Sequence, residues 1–270
     1  MLHNTAKSLS AALIGFMLMG LTAICSAETV LITGSNSGIG FAFVEQYASM
    51  GWKVIATHRR DEAPETLKVL AQKYDTVQIE RMDVSSISEI DSLAKKLKGV
   101  PIDVLINNAG VMVVGKLGAP GVAAAQEFGT LDYEQFDTFM RTNVMGPIKI
   151  AEAFVDNVRA SKDGKVVNIS SHAGSITPAI TWFREGYWYK SSKVAMNMVM
   201  KNLAYDLKKD NIVVIMFHPG GVRSEKLKDI EFPGLMEPSE SVGAMVKIID
   251  SLTMADSGQF IDYKGEPVPL

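Results

Sequence analysis

The chain has 270 residues and a net charge of −3 at pH 7, with 47% hydrophobic and 21% charged residues. That balance gives no electrostatic footprint for nucleic acid, and the apolar fraction suits one large core rather than a disordered or fibrous chain. No Pro- or Gly-rich linker, charge run or repeat divides it, so the length reads as one α/β unit.

The first 27 residues stand apart. Lys7 is their only charged side chain, Leu13–Leu21 forms an apolar centre, and Cys25-Ser26-Ala27 places small residues at −3 and −1 of a cleavage after Ala27. This is the plan of a secretory signal, so residues 1–27 are expected to leave a domain of residues 28–270 in a periplasmic or secreted location. Retained, residues 8–27 would instead form a short membrane anchor, the only route to a membrane. A start at Met17 or Met19 would give a cytosolic protein. No Arg precedes Arg59, which excludes a twin-arginine route. Cleavage would remove Lys7 and no acid, taking the net charge from −3 to −4, and would remove Cys25, the only cysteine. A mature chain without thiols suits an oxidising compartment.

From Glu28 onward, β-rich runs alternate with amphipathic stretches. Strands are predicted at 29–33, 53–57, 77–82, 102–106, 165–169, 212–218 and 259–262. Helices are predicted at 38–50, 64–73, 86–98, 132–159, 187–208 and 239–252. Val30-Leu31-Ile32 and Val104-Leu105-Ile106 are apolar throughout, as strands covered on both faces must be. This alternation predicts a single Rossmann-type, doubly wound parallel sheet flanked by helices. Two long loops are expected, at 111–130 and 220–238.

The first strand runs into Thr33-Gly34-Ser35-Asn36-Ser37-Gly38-Ile39-Gly40 at the start of the first helix. Gly34 allows a tight turn, Gly38 a close backbone approach to a pyrophosphate, and Gly40 close helix–strand packing, with the helix N-terminus facing the negative charge. After the second strand comes Thr57-His58-Arg59-Arg60. An acid here would suit a ribose 2′-hydroxyl. Arg59 and Arg60 suit a 2′-phosphate, so NADP is expected ahead of NAD. Further on, Tyr189 and Lys193 lie four apart on one helix face, following Ser170-Ser171 at a strand end where α/β sites form. A neighbouring ammonium favours the phenolate and lets Tyr189 move a proton near neutral pH. Tyr205 and Lys209 repeat the spacing and are expected at the helix surface.

Thr33–Gly40, Asp83-Val84, Asn107-Asn108-Ala109-Gly110, Asn143, Ser170-Ser171, Tyr189-x-x-x-Lys193 and Pro219-Gly220 occur in the order found in short-chain dehydrogenases/reductases. Essentially everything after residue 28 resembles that family. Tyr187–Met198, His218-Pro219-Gly220 and Asp256–Gly265 are similar to its C-factor-like carbonyl reductases. The resemblance implies a catalytic set of Ser171, Tyr189, Lys193 and Asn143. Tyr189 would exchange the proton, Lys193 would lower its pKa and hold the nicotinamide ribose, Ser171 would bind the substrate carbonyl, and Asn143 would anchor a relay water. It implies cofactor contacts from Thr33, Gly34, Ser37, Gly38, Ile39, Gly40, Arg59, Asp83, Val84, Asn107, Ala109, Gly110, Pro219, Gly220, Val222 and Ser224, besides Tyr189 and Lys193, and no metal. The substrate would be a small or moderately apolar carbonyl or alcohol, with Trp182, Phe183 and Trp188 near it in sequence. A homodimer or homotetramer fits. A cofactor-binding signalling protein with little turnover, and an isomerase or dehydratase using the same Tyr, are the alternatives. Tyr189 comes eighteen positions after Ser171, farther than is usual in the family, so the intervening loop is expected to reshape the pocket; Gly221 stands where the C-factor branch tends to have Trp, so that branch's substrate preference is not carried over.

Overall fold

Seven short apolar runs form one parallel sheet: β1 (Thr29–Ile32), β2 (Lys53–His58), β3 (Val77–Arg81), β4 (Val104–Asn107), β5 (Lys165–Ile169), β6 (Val213–His218) and β7 (Phe260–Asp262). Their order across the sheet is β3-β2-β1-β4-β5-β6-β7. The computed structural model describes residues 27–115, 121, 124–177, 186–223 and 234–270. Every predicted strand and helix is present, with ends displaced by one or two residues except around residues 132–146.

Side-chain alternation along the strands builds two cores. Val30 and Ile32 face one side with Val54 and Ile106. There they meet α1 (Gly38–Ser49) through Phe43 and Tyr47, α2 (Glu65–Lys73) through Leu67, and α7 (Pro238–Ser251) through Val242 and Met245. Leu31, Ile55 and Leu105 face the other side. There they meet α3 (Ile87–Lys96), α5 (Gly146–Arg159) and α6 (Tyr187–Leu207) through Ile90, Phe154 and Met200. Leu31 pairs in register with Ile55 of β2 and Leu105 of β4. The strand order reverses between β1 and β4, and at such a switch point the connections part and open a crevice at the carboxyl ends.

The predicted helix at 132–159 is not continuous. A 3-10 turn at Tyr133–Gln135 leads into α4 (Phe136–Met140), then a π-helical turn at Arg141–Met145, then α5. Pro147 supplies the reason. It has no N–H to offer the Asn143 carbonyl four residues back, and its ring crowds that carbonyl. Gly146 also lies against β3's outgoing chain, where an added Cβ would sit 2.5 Å from the Val84 carbonyl oxygen. The widened turn sits at the crevice, as such turns frequently do. Among the described residues, no helix is long and apolar enough to cross a membrane.

Candidate active site

The turn after β1 is stitched to the turn after β4. Thr33 Oγ1 accepts the amides of Asn108 and Ala109, each at 3.0 Å. Asn108 Nδ2 returns to the carbonyls of Thr33 at 2.8 Å and Gly34 at 3.1 Å. Gly34 has φ 67° and no room for a side chain, since an added Cβ would lie 2.9 Å from Ala109 Cα. Gly38 has φ 56°, but an added Cβ there would meet nothing within 4 Å. Open space therefore lies in front of α1, whose first turn carries no acid to neutralise its positive end. Ser37 stands at that end without capping it, and Ile39, two residues on, packs against the hydrophobic core.

At the end of β2, Arg59 is exposed and makes no ion pair among the described residues. Thr57 Oγ1 and His58 Nδ1 are buried there without partners. Burial holds His58 below its usual pKa, opposed by a hydrogen bond to the Arg60 backbone and aided by the Arg81 and Arg60 charges. Asp83, after β3, accepts the Ser85 amide and hydroxyl on Oδ1 at 2.8 and 2.7 Å, and Val84 is buried behind it. Unpartnered polar atoms, a helix end without an acid and open space at Gly38 fit a dinucleotide laid across the carboxyl ends of β1, β2 and β4.

On the other side of the switch point, α6 presents Tyr189 and Lys193. The Ser171 side chain lies near enough to the Tyr189 phenol to influence its ionisation, and it accepts the Ala173 amide at 3.2 Å. Lys193 Nζ donates to the Ile169 carbonyl at 2.9 Å and lies 5.9 Å from the Tyr189 ring centre. Asn143 is 1% exposed. It grips the Val111 backbone, accepting its N–H and donating to its carbonyl at 2.8 Å each, and it donates to Ser192 Oγ at 2.9 Å. Gly110 lies between these groups, an added Cβ reaching 3.3 Å from Asn143 Oδ1 and 3.7 Å from Lys193 Nζ. Four predicted residues from three segments thus meet at one place.

Electrostatics differ from the expectation of an ammonium-lowered phenol. Desolvation holds Tyr189 above its ordinary pKa, with the Ser171 side chain pulling the other way. Desolvation also pushes Lys193 down to about 8. Beside Ser171, the His172 and His218 rings stack at 3.6 Å, and the His172 amide donates to His218 Nδ1 at 3.2 Å. Burial, then the His172 charge, pushes His218 down to about 4.

Some predicted residues sit otherwise. Asn107 turns into the sheet, donating to Asn168 Oδ1 at 2.8 Å, so it braces β4 against β5 while Ala109 and Gly110 border the crevice. Gly220, φ 84°, lets the chain pass Met236 and Tyr263. Pro219 is buried, its carbonyl accepting Ser241 Oγ at 2.6 Å, and Val222 is bridged to Met236. Ser224, Trp182 and Phe183, and residues 1–26 of the export segment, lie outside the described residues. Trp188 points to Asp132, donating to its carbonyl at 2.9 Å and meeting Tyr133 and Phe136 edge-on, so it anchors α6. Tyr205 is 82% exposed, as expected of a surface pair. Sequence reasoning missed Ser192, His172 and Gln126, and gave Asn108 a place only within the run expected to line the cofactor. Asn108 and Ser192 lie inside the quoted motifs, whose position at the site was their only signal; Gln126 offered none.

The family model for short chain dehydrogenase matches residues 28–232. A 1-hydroxy-2-glutathionyl-2-methyl-3-butene dehydrogenase from Rhodococcus sp. (strain AD45) is 33% identical over 238 residues, covering 86% of this chain and 95% of that protein. C-signal from Myxococcus xanthus is 33% identical over 170 residues, 63% of this chain and 93% of that one. The NADPH-bound carbonyl reductase from chicken fatty liver superposes with a TM-score of 0.81 at 27% identity, covering 90% of this chain and 99% of that one.

Proposed function

The chain belongs to the short-chain dehydrogenase family and is an oxidoreductase acting between CH–OH and C=O groups; on that premise we propose that it uses NADP(H) to interconvert a small or moderately apolar carbonyl compound and its alcohol. When bound, the nicotinamide supplies or accepts the hydride.

The chain's own residues do the rest. Ser171 and Tyr189 would meet the same substrate oxygen, Ser171 by hydrogen bonding and Tyr189 by passing it a proton in reduction or taking one in oxidation. A phenol held above its ordinary pKa starts as the acid, which suits reduction. The Lys193 ammonium, confined beside the ring, stabilises the phenolate as the proton leaves. Asn143 holds Val111 and the first turn of α6 in place and would anchor a relay water. Gly34, Gly38 and Gly40 with the α1 N-terminus would take the pyrophosphate. Asp83 and Val84 would take the adenine, Arg59 a 2′-phosphate, and Ala109, Gly110, Pro219, Gly220 and Val222 the nicotinamide side.

The observation that carries this reading is the buried Lys193 ammonium, held by the Ile169 carbonyl 5.9 Å from the Tyr189 ring centre one helical turn away, with Ser171 beside the same phenol. NADPH in the chicken carbonyl reductase supports the choice of cofactor. A panel of aldehydes and ketones with NADPH or NADH as reductant tests it: carbonyl-dependent oxidation, faster with NADPH, is expected. No turnover of any carbonyl or alcohol with either cofactor would defeat it.

We also propose that the protein is exported and cut after Ala27. β1 begins at Thr29, so the cut removes no part of the sheet. N-terminal sequencing of native protein should begin at Glu28, and a native start at Met17 or Met19 would refute export.

A further inference from the structure

Tyr189 is the third residue of α6, and the amides of a first helical turn have no partners within the helix. A Ser, Thr, Asp or Asn just before the helix normally supplies one. Here Gly186 stands in that place, with φ 97° and no side chain to offer. The Tyr189 amide donates instead to Gln126 Oε1, 3.1 Å away and 63 residues back along the chain. Gln126 Nε2 donates to the Met112 carbonyl at 3.1 Å, and the Gln126 carbonyl accepts the Gly186 amide at 3.1 Å. Chemistry fixes the orientation of this side-chain amide: an N–H needs its oxygen and a carbonyl needs its nitrogen. Gln126 is 4% exposed, so water does not replace it.

These bonds close a circuit. Met112 follows Val111, whose backbone Asn143 grips on both sides. Asn143 also donates to Ser192 Oγ, which donates to the Tyr189 carbonyl at 2.7 Å. The Tyr189 peptide is therefore held at its N–H by Gln126 and at its carbonyl by Ser192, and both lines end on Asn143. We propose that Gln126 is a positioning residue for the reaction, capping α6 from a distant loop so that the Tyr189 hydroxyl stays in reach of Ser171. This rests on the role given to Tyr189 above.

The test compares Gln126→Met and Gln126→Glu with the unmutated protein, measuring kcat and KM for carbonyl reduction from mildly acidic to alkaline pH and NADPH affinity by fluorescence titration. Met fills the space and offers no acceptor, so kcat should fall about tenfold or more, the scale of one buried amide left unpaired, while NADPH affinity holds. Glu keeps an acceptor for Tyr189 but can donate to the Met112 carbonyl only when protonated. Its activity should approach that of the unmutated protein at acidic pH and fall away as the carboxyl ionises. Tyr189→Phe is assayed alongside. If Tyr189→Phe is inactive while Gln126→Met keeps its kcat, or loses kcat only in step with NADPH affinity, the positioning role is overturned. A Gln126→Glu profile parallel to the unmutated one overturns it as well, and requires only that the milder variant fold. An active Tyr189→Phe removes the parent reading and this inference together.

Discussion

Replacing Gly40 with Ala puts a methyl group where the cofactor turn has no space. Its Cβ would lie 2.3 Å from the Gly34 carbonyl oxygen and 2.4 Å from Asn108 Nδ2. Neither is the loose end of a flexible chain, because Asn108 Nδ2 holds the Thr33 and Gly34 carbonyls and the oxygen belongs to the turn itself. Relief requires α1 to move off the turn or the Asn108 bonds to break. Overpacking of this kind costs about 1–3 kcal/mol, a lost hydrogen bond adds about 1 kcal/mol, and Ala in a helix returns about 1 kcal/mol over Gly. The net loss is about 2 kcal/mol, which lowers Tm by about 4–8 °C in a domain of this size. Gly38→Ala is the contrast. Its Cβ would meet nothing, so the cost is its φ of 56°, about 1–2 kcal/mol. It should melt closer to the unmutated protein yet lose NADPH affinity, because the methyl enters the space in front of α1. Thermal denaturation without cofactor and fluorescence titration with NADPH read the two effects separately. A Gly40→Ala protein that melts with the unmutated one, or a Gly38→Ala protein that keeps its NADPH affinity, would refute this account of the turn.

Three further outcomes are expected. Arg59→Asp should weaken NADPH binding by about 1–3 kcal/mol, the scale of a charge-assisted hydrogen bond, and leave NADH nearly unaffected; equal NADPH and NADH affinities in the unmutated protein would end the argument for Arg59. Lys193 has a folded pKa of about 8 against an ordinary 10.5, so the unfolded chain holds the extra proton between those values and stability rises with pH through that window. Denaturant unfolding of cofactor-free protein should show the unmutated chain gaining about 3 kcal/mol over Lys193→Met across that window, and parallel curves would contradict it. Replacing His218 with Asn keeps an acceptor for the His172 amide but removes the titrating ring. Because His218 titrates near 4 rather than 6.5, its contribution to stability is lost as pH falls from 6.5 towards 4, and the Asn variant should be less acid-labile.

The sheet was legible because its strands carry their own instructions. Val30-Leu31-Ile32 is apolar at every position, and the structure buries both of its faces. The glycine turn was legible for the same local reason, and Gly34 and Gly40 occupy the tight places their spacing implied. Of the residues named from family motifs, Asn143 and Lys193 flank Gly110, while Asn107 turns into the sheet instead. What escaped was set by distant contacts. The π-helical turn depends on Pro147 acting on Asn143 four residues earlier, a signal present in the sequence but masked by the apolar pattern running through 132–159. Gln126 reaches Tyr189 across 63 residues, and nothing in its own neighbourhood marks it. The phenol's environment also escaped, since an ammonium four residues away suggests a lowered pKa while burial, invisible in spacing, works the opposite way.

The central claim is that Tyr189 moves the proton, and one substitution tests it directly. Tyr189→Phe keeps the ring and removes the hydroxyl. NADPH oxidation driven by the best carbonyl of the panel should fall by at least about 100-fold, with NADPH binding retained and with Tyr205→Phe, 82% exposed on the same helix, unchanged. A Tyr189→Phe protein that reduces the carbonyl at the unmutated rate, or a Tyr205→Phe protein that loses as much, would contradict the account.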